Sequence, residues 1–125
     1  MSATVISVGD DPDLLALRHA ILKRAGYQVF TASDPKTASQ QIATAPCDIL
    51  LLCYSIRIPD RQNIAKQFRD RCPDGRIIAI TDQPQIRPPI DADTFLYGLE
   101  GPKMLLHTVH EQVQARSLSR FKGAS

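Results

Sequence analysis

A single thiol closes the most apolar run in the chain. Asp48-Ile49-Leu50-Leu51-Leu52-Cys53 sets four large apolar residues in succession and ends on a cysteine. Four such residues cannot alternate between a wet and a dry side, so the run reads as a strand covered on both faces. In an open parallel sheet, ligands and chemistry gather beyond the carboxyl ends of the strands, where Cys53 stands. A cysteine there is a candidate redox thiol or nucleophile. Its expected neighbour is Asp10, a negative charge that does not activate a thiol, so a small buried hydrophobe is the stronger reading of Cys53.

Other polar groups fall at comparable places. Gly9-Asp10-Asp11 follows the first β-branched run, and Thr81 follows Arg76-Ile77-Ile78-Ala79-Ile80. Asp10 is a weak candidate for holding Mg2+; Asp11, placed before Pro12, reads as a helix N-cap. Gly9 stands alone, with no G-x-G-x-x-G or Walker pattern after it, so a nucleotide site has little support. His19, His107 and His110 fall on outward helix faces and do not converge with Cys53. Arg57, Arg61 and Arg69 read as a solvated basic face.

The elements that position these groups alternate. Thr4 to Val8 forms a first strand. The helix from Pro12 turns Leu14, Leu17, Ile21, Leu22 and Ala25 inward, and Arg18, His19, Lys23 and Arg24 mostly outward, with Gly26 as its stop. Tyr27 to Ala32 is a second strand. Asp34-Pro35 opens a helix carrying Ala38, Ile42 and Ala45 that Pro46 closes. After the central strand comes a helix with Ile64, Ala65 and Phe68, ended by Pro73-Asp74-Gly75. Arg76 to Thr81 is a fourth strand, and the stretch Ala92 to Tyr97 holds a fifth around Phe95 and Leu96. Pro102 opens a last helix with Met104, Leu105, Val109 and Val113. Between the last two strands, Pro84, Pro88 and Pro89 remove backbone donors and restrict their predecessors, so no regular helix is expected there. The expectation is a three-layer α/β domain with a doubly wound, five-stranded parallel sheet over residues 1–117, its fourth helix shortened or absent. Residues 118–125 read as a frayed tail.

Composition narrows the function. A chain of 125 residues with 43% hydrophobic and 22% charged residues can bury one core. A net charge of +2, without a nucleic-acid motif, argues against direct nucleic-acid binding. No run spans a bilayer and no signal peptide opens the chain. Cys47, Cys53 and Cys72 are odd in number and lack metal-ligand spacing, so they read as free thiols in a reducing compartment. A cytoplasmic protein is expected.

The segments V-G-D-D-P-D-L-L, A-P-C-D-I-L-L-L-C, I-I-A-I-T and D-T-F-L-Y-G-L-E-G-P-K-M-L-L, in this order, resemble the receiver domain of bacterial response regulators. The resemblance runs from about Thr4 to about Arg116 and implies a flavodoxin-like fold. The family places a phosphoacceptor Asp after the third strand, two acids after the first, Thr or Ser after the fourth and Lys after the fifth. Cys53 falls at the phosphoacceptor, Gly9 at the first acid, Asp10 at the second, Thr81 at the hydroxyl and Gly98 at the lysine. Phe95 matches the aromatic switch position. An acyl phosphate needs a carboxylate, and its phosphoryl oxygens need a metal held on hard oxygen ligands. The resemblance therefore implies a degenerate receiver with no catalytic residue and no cofactor beyond weak Mg2+. It would act in two-component signal transduction by phosphorylation-independent protein–protein interaction, with a signalling partner or a second copy. No output domain lies within these residues. The alternatives are a working phosphorelay receiver that uses Asp10 or Asp11, and a thiol redox switch at Cys53.

Overall fold

The structure, a computed structural model, describes residues 3–123. Its elements alternate strictly at first: β1 (Thr4–Val8), α1 (Pro12–Arg24), β2 (Gln28–Ala32), α2 (Pro35–Thr44), β3 (Ile49–Cys53), α3 (Ile58–Arg71) and β4 (Arg76–Thr81). Then β5 (Thr94–Tyr97) follows β4 with no helix between them, and a 3-10 turn leads into α4 (Pro102–Gly123). All pairings are parallel, in the order β2-β1-β3-β4-β5. The sheet is the flavodoxin-like one, with four α-helices.

β3 is the middle strand, with Leu50 opposite Ile6 of β1 and Ile77 of β4. Its residues alternate between two cores. Leu50 and Leu52 join Ile6, Ile42, Ile64 and Phe68 under α2 and α3. Ile49 and Leu51 join Val5, Leu22, Leu105 and Val109 under α1 and α4. Each of these four β3 residues is at most 1% exposed, which is why the run had to be apolar throughout.

The helix starts follow from their caps. The Asp11 carboxylate accepts from the N–H groups of Asp13 (3.0 Å) and Leu14 (3.3 Å), and Pro12 gives up no useful donor in the first turn. Asp34 does the same for α2, accepting from the Thr37 N–H at 2.7 Å and the Thr37 hydroxyl at 3.1 Å. Gly26, at φ 100°, lets the chain leave α1, a conformation that costs side-chain-bearing residues energy.

The crossover from Thr81 to Thr94 is irregular, as the prolines require. Ile90 replaces the missing helix as a core plug, 7% exposed, against the α2–α3 side. Asp93 anchors the return: its carboxylate accepts from the Ile77 N–H at 2.7 Å and pairs with Arg69 at 2.9 Å and Arg76 at 3.5 Å.

Three expectations need correction. Cys47 and Cys72 are not free thiols but a disulfide, with Cα atoms 5.2 Å apart, because the turn into β3 lies against the C-terminus of α3. With that pair bonded, the cysteine count no longer argues for a reducing compartment. Along α1, Leu17 is exposed and Arg18 is buried, the reverse of the sequence reading. The inward positions are Leu15, Arg18 and Leu22, so the buried stripe is rotated from the one assigned. Finally, α4 continues to Gly123, through much of the segment read as frayed; residues 124 and 125 lie outside the described residues. Among the described residues no helix is long and apolar enough to cross a membrane.

Two outcomes are expected. Cys47→Ser with Cys72→Ser should lower stability by about 3 kcal/mol in urea unfolding, because it frees the loop between them in the unfolded chain. The hydrogen bonds from Thr37 hold the Asp34 carboxyl below its ordinary value of 3.8. The stabilisation from this depressed group is present above that value and is lost as pH falls through the folded one. Asp34→Asn should therefore keep α2 and flatten the loss of stability below about pH 4, followed by circular dichroism during acid titration.

Candidate functional site

The carboxyl ends of β1, β3, β4 and β5 bring the predicted positions together. Gly9 follows β1, Cys53 ends β3, Thr81 ends β4 and Gly98 follows β5. A Cβ on Gly9 would lie 3.1 Å from Cβ of Cys53 and 3.4 Å from the Ser55 hydroxyl. A Cβ on Gly98 would lie 3.3 Å from the Ile80 side chain and 3.4 Å from both the Thr81 carbonyl oxygen and the Tyr54 ring. Both glycines are thus places of close approach, and the space a longer side chain would use is lined by their neighbours.

The backbone of Asp10, the Asp11 carboxylate and the Thr81 hydroxyl are each engaged locally. Asp10 is exposed, and its N–H donates to Ser55 Oγ at 2.8 Å. Asp11 is occupied as the α1 cap. The Thr81 hydroxyl donates to the Gln83 carbonyl at 3.1 Å, within its own turn. Phe95 is half-buried, with the Arg87 guanidinium 5.3 Å from its ring centroid, a cation–π contact that ties the crossover to β5.

Arg61 changes the character of the site. It was read as part of a solvated basic face with Arg57 and Arg69, but those three residues do not share an environment. Arg57 is exposed, and Arg69 is half-buried in ion pairs with Asp91 and Asp93. Arg61 is 6% exposed, and its Nε has no hydrogen-bond partner. Burial pulls its guanidinium below the usual arginine range, and the Asp82 carboxylate acts in the opposite sense. Arg61 is thus a buried cation contributed by α3. The spacing Arg61, Ile64, Ala65, Phe68 was the available signal: Arg61 lies on the buried stripe of its own helix.

Cys53 is 1% exposed and is the free cysteine among the described residues. A shallow cavity nearby, about 170 Å³, is lined by Asp10, Asp34, Asp60 and Ser55 among others. No group of three His, Cys, Asp or Glu residues converges to hold a metal among the described residues. A hard divalent cation needs several oxygen ligands. This strand end offers a thiol at 53, no side chain at 9 and a buried guanidinium, a donor set that does not fit magnesium. His19, His107 and His110 stay apart from this end, with His107 paired to Glu111 on α4.

No protein-family model and no curated protein matches the chain in sequence. Solved structures match its shape closely. A CheY-like response regulator receiver domain protein from Methanospirillum hungatei JF-1 superposes with a TM-score of 0.85, over 95% of this chain and 99% of the other, at 17% identity. The response regulator TrrA from Thermotoga maritima, solved in complex with Mg(2+)-BeF, gives 0.74 over 88% and 98% of the two chains, at 20% identity. NtrX from Brucella abortus, in complex with ADP, gives 0.85 over 99% of this chain but 29% of its own, at 20% identity. At such identities the likeness establishes the fold.

An isolated buried cation with an unpaired donor contributes little to stability, and an apolar side chain of similar length can replace it without loss. Arg61→Met should therefore fold with a stability within about 1 kcal/mol of the parent or above it. Arg61→Ala, which also leaves a void, should fall by about 2 kcal/mol or more. Paired urea titrations check both.

Proposed function

With the receiver fold as premise, we propose that this chain is a degenerate receiver that serves signal transduction as a protein–protein interaction module, without phosphoryl transfer. The observation that carries the reading is the residue that ends β3. Cys53 occupies the position where the resemblance expects an acceptor carboxylate, and both it and the Arg61 guanidinium of α3 are buried. A thiol cannot form an acyl phosphate. The guanidinium supplies positive charge from within the chain, where receivers of the expected pattern rely on a metal and a lysine.

The surroundings support the same reading. Gly9 carries no carboxylate, and Gly98 carries no cation. Tyr54 lies against the space that a side chain at 98 would enter. The β4–β5 crossover, through which a change at Thr81 would pass outward, contains no helix to reposition. What remains is a rigid scaffold whose surfaces can be recognised in one state. The partner is a signalling protein or a second copy of the chain.

Incubation with a small phosphodonor and magnesium should leave the intact mass unchanged. A stoichiometric phosphate adduct that disappears in Asp10→Asn or Asp11→Asn would replace this reading with phosphotransfer through those carboxylates.

A second outcome follows from Arg61. The carboxylate that Cys53→Asp introduces should be neutralised by the neighbouring guanidinium and so gain no affinity for magnesium. Cys53→Asp combined with Arg61→Met should show a magnesium-dependent rise in melting temperature, because a cation that binds only the folded form stabilises it. A magnesium shift of equal size in both proteins would mean that Arg61 does not control the charge of this site.

A further inference from the structure

The other two cysteines lie at the opposite end of the sheet, in a setting unlike that of Cys53. Cys47 stands in the turn between α2 and β3 and is half-buried; Cys72 caps the C-terminus of α3 and is 2% exposed. Arg71 serves both sulfurs. Its Nη1 lies 2.6 Å from Cys47 Sγ and 3.5 Å from Cys72 Sγ, and also donates to the Ala45 carbonyl at 3.1 Å. A cation held beside a disulfide favours exchange, since each cleavage step releases a thiolate that the cation stabilises.

The backbone around the pair is held by bonds that do not pass through sulfur. The Cys47 carbonyl accepts from Arg116 Nε at 2.8 Å. The Cys72 N–H donates to the Phe68 carbonyl at 2.7 Å, and the Cys72 carbonyl accepts from the Gly75 N–H at 2.9 Å. Opening the disulfide leaves each of these in place, so it is a local event.

We propose that Cys47–Cys72 is a thiol–disulfide exchange site, assisted by Arg71, that small thiols open and close in the folded protein. A thiolate attacks the more accessible Cys47 sulfur, forming a mixed disulfide there and expelling Cys72 as a thiolate beside Arg71. A second thiolate then attacks the sulfur of the bound thiol, releasing the oxidised thiol and Cys47 as a thiolate. Two electrons pass from the two thiols to the protein, and solvent protons neutralise the thiolates according to pH. An oxidised small disulfide reverses both steps. The site can thus report the thiol–disulfide balance around the chain independently of the β3 end.

The test uses the full chain in mixtures of reduced and oxidised glutathione, quenched with an alkylating agent and read by intact mass and peptide mapping. Cys53 is the internal control, because its label marks global unfolding. The expected result is paired labelling of Cys47 and Cys72 as the mixture becomes reducing, with Cys53 unlabelled and the far-ultraviolet dichroism unchanged. Arg71→Met should slow opening about tenfold, and Arg71→Lys should restore much of the rate. Labelling of all three cysteines at one common rate would overturn the proposal. So would a pair that stays reduced in every mixture, or an Arg71→Met protein that opens as fast as the parent.

Discussion

Everything in this domain depends on β3 having no free edge and no free face. It bonds to β1 on one side and β4 on the other, and its side chains divide between the two cores. A strand enclosed in this way cannot slip, because a shift of one residue would exchange the two cores. Its last residue, Cys53, stands opposite Ile80 of β4. Cys53 has its burial imposed by the sheet, and Arg61 has its own imposed by the stripe of α3 that includes Ile64 and Phe68.

The far end of the sheet is held by two carboxylates. Asp48 accepts from the Thr4 N–H at 2.9 Å and pairs with Arg116 at 3.1 Å, joining the starts of β1 and β3 to α4. Asp93 plays the corresponding part for β4 and β5 through Ile77, Arg69 and Arg76. Both carboxylates are less than one-fifth exposed, accept from a backbone N–H and pair with guanidinium groups, which makes them more effective than solvated surface pairs. The irregular crossover is tolerated because Asp93 and Ile90 fix where it ends.

Local patterns were enough for most of the architecture. Buried strands announce themselves by apolar runs, Asp-Pro by helix starts, and Pro84, Pro88 and Pro89 by the helix they forbid. What escaped were facts that exist only between elements. Nothing near Cys47 indicates that Cys72 will lie 5.2 Å away. The rotation of α1 that buries Arg18 and exposes Leu17 is set where α1 meets the sheet and α4, not by its own periodicity. Arg61 was misread for a related reason: arginine is so seldom buried that its place on the apolar stripe was discounted. Asp93 and Ser55 carried no signal beyond being polar residues near strand ends.

The closeness of Gly9 to Cys53 bears on which side chains this end of the sheet admits. Adjacent strands here leave 3.1 Å between the Cys53 Cβ and the place a Cβ would take on residue 9. That spacing concerns Cβ atoms alone, so it is the same whatever side chain stands at 53. A side chain at position 9 needs the two strand ends to give by a few tenths of an ångström. Gly98 makes a similar demand on the Ile80 side chain. What stands at positions 9 and 98 is therefore set by how far the neighbouring strand ends can yield, and not only by the chemistry of the side chain.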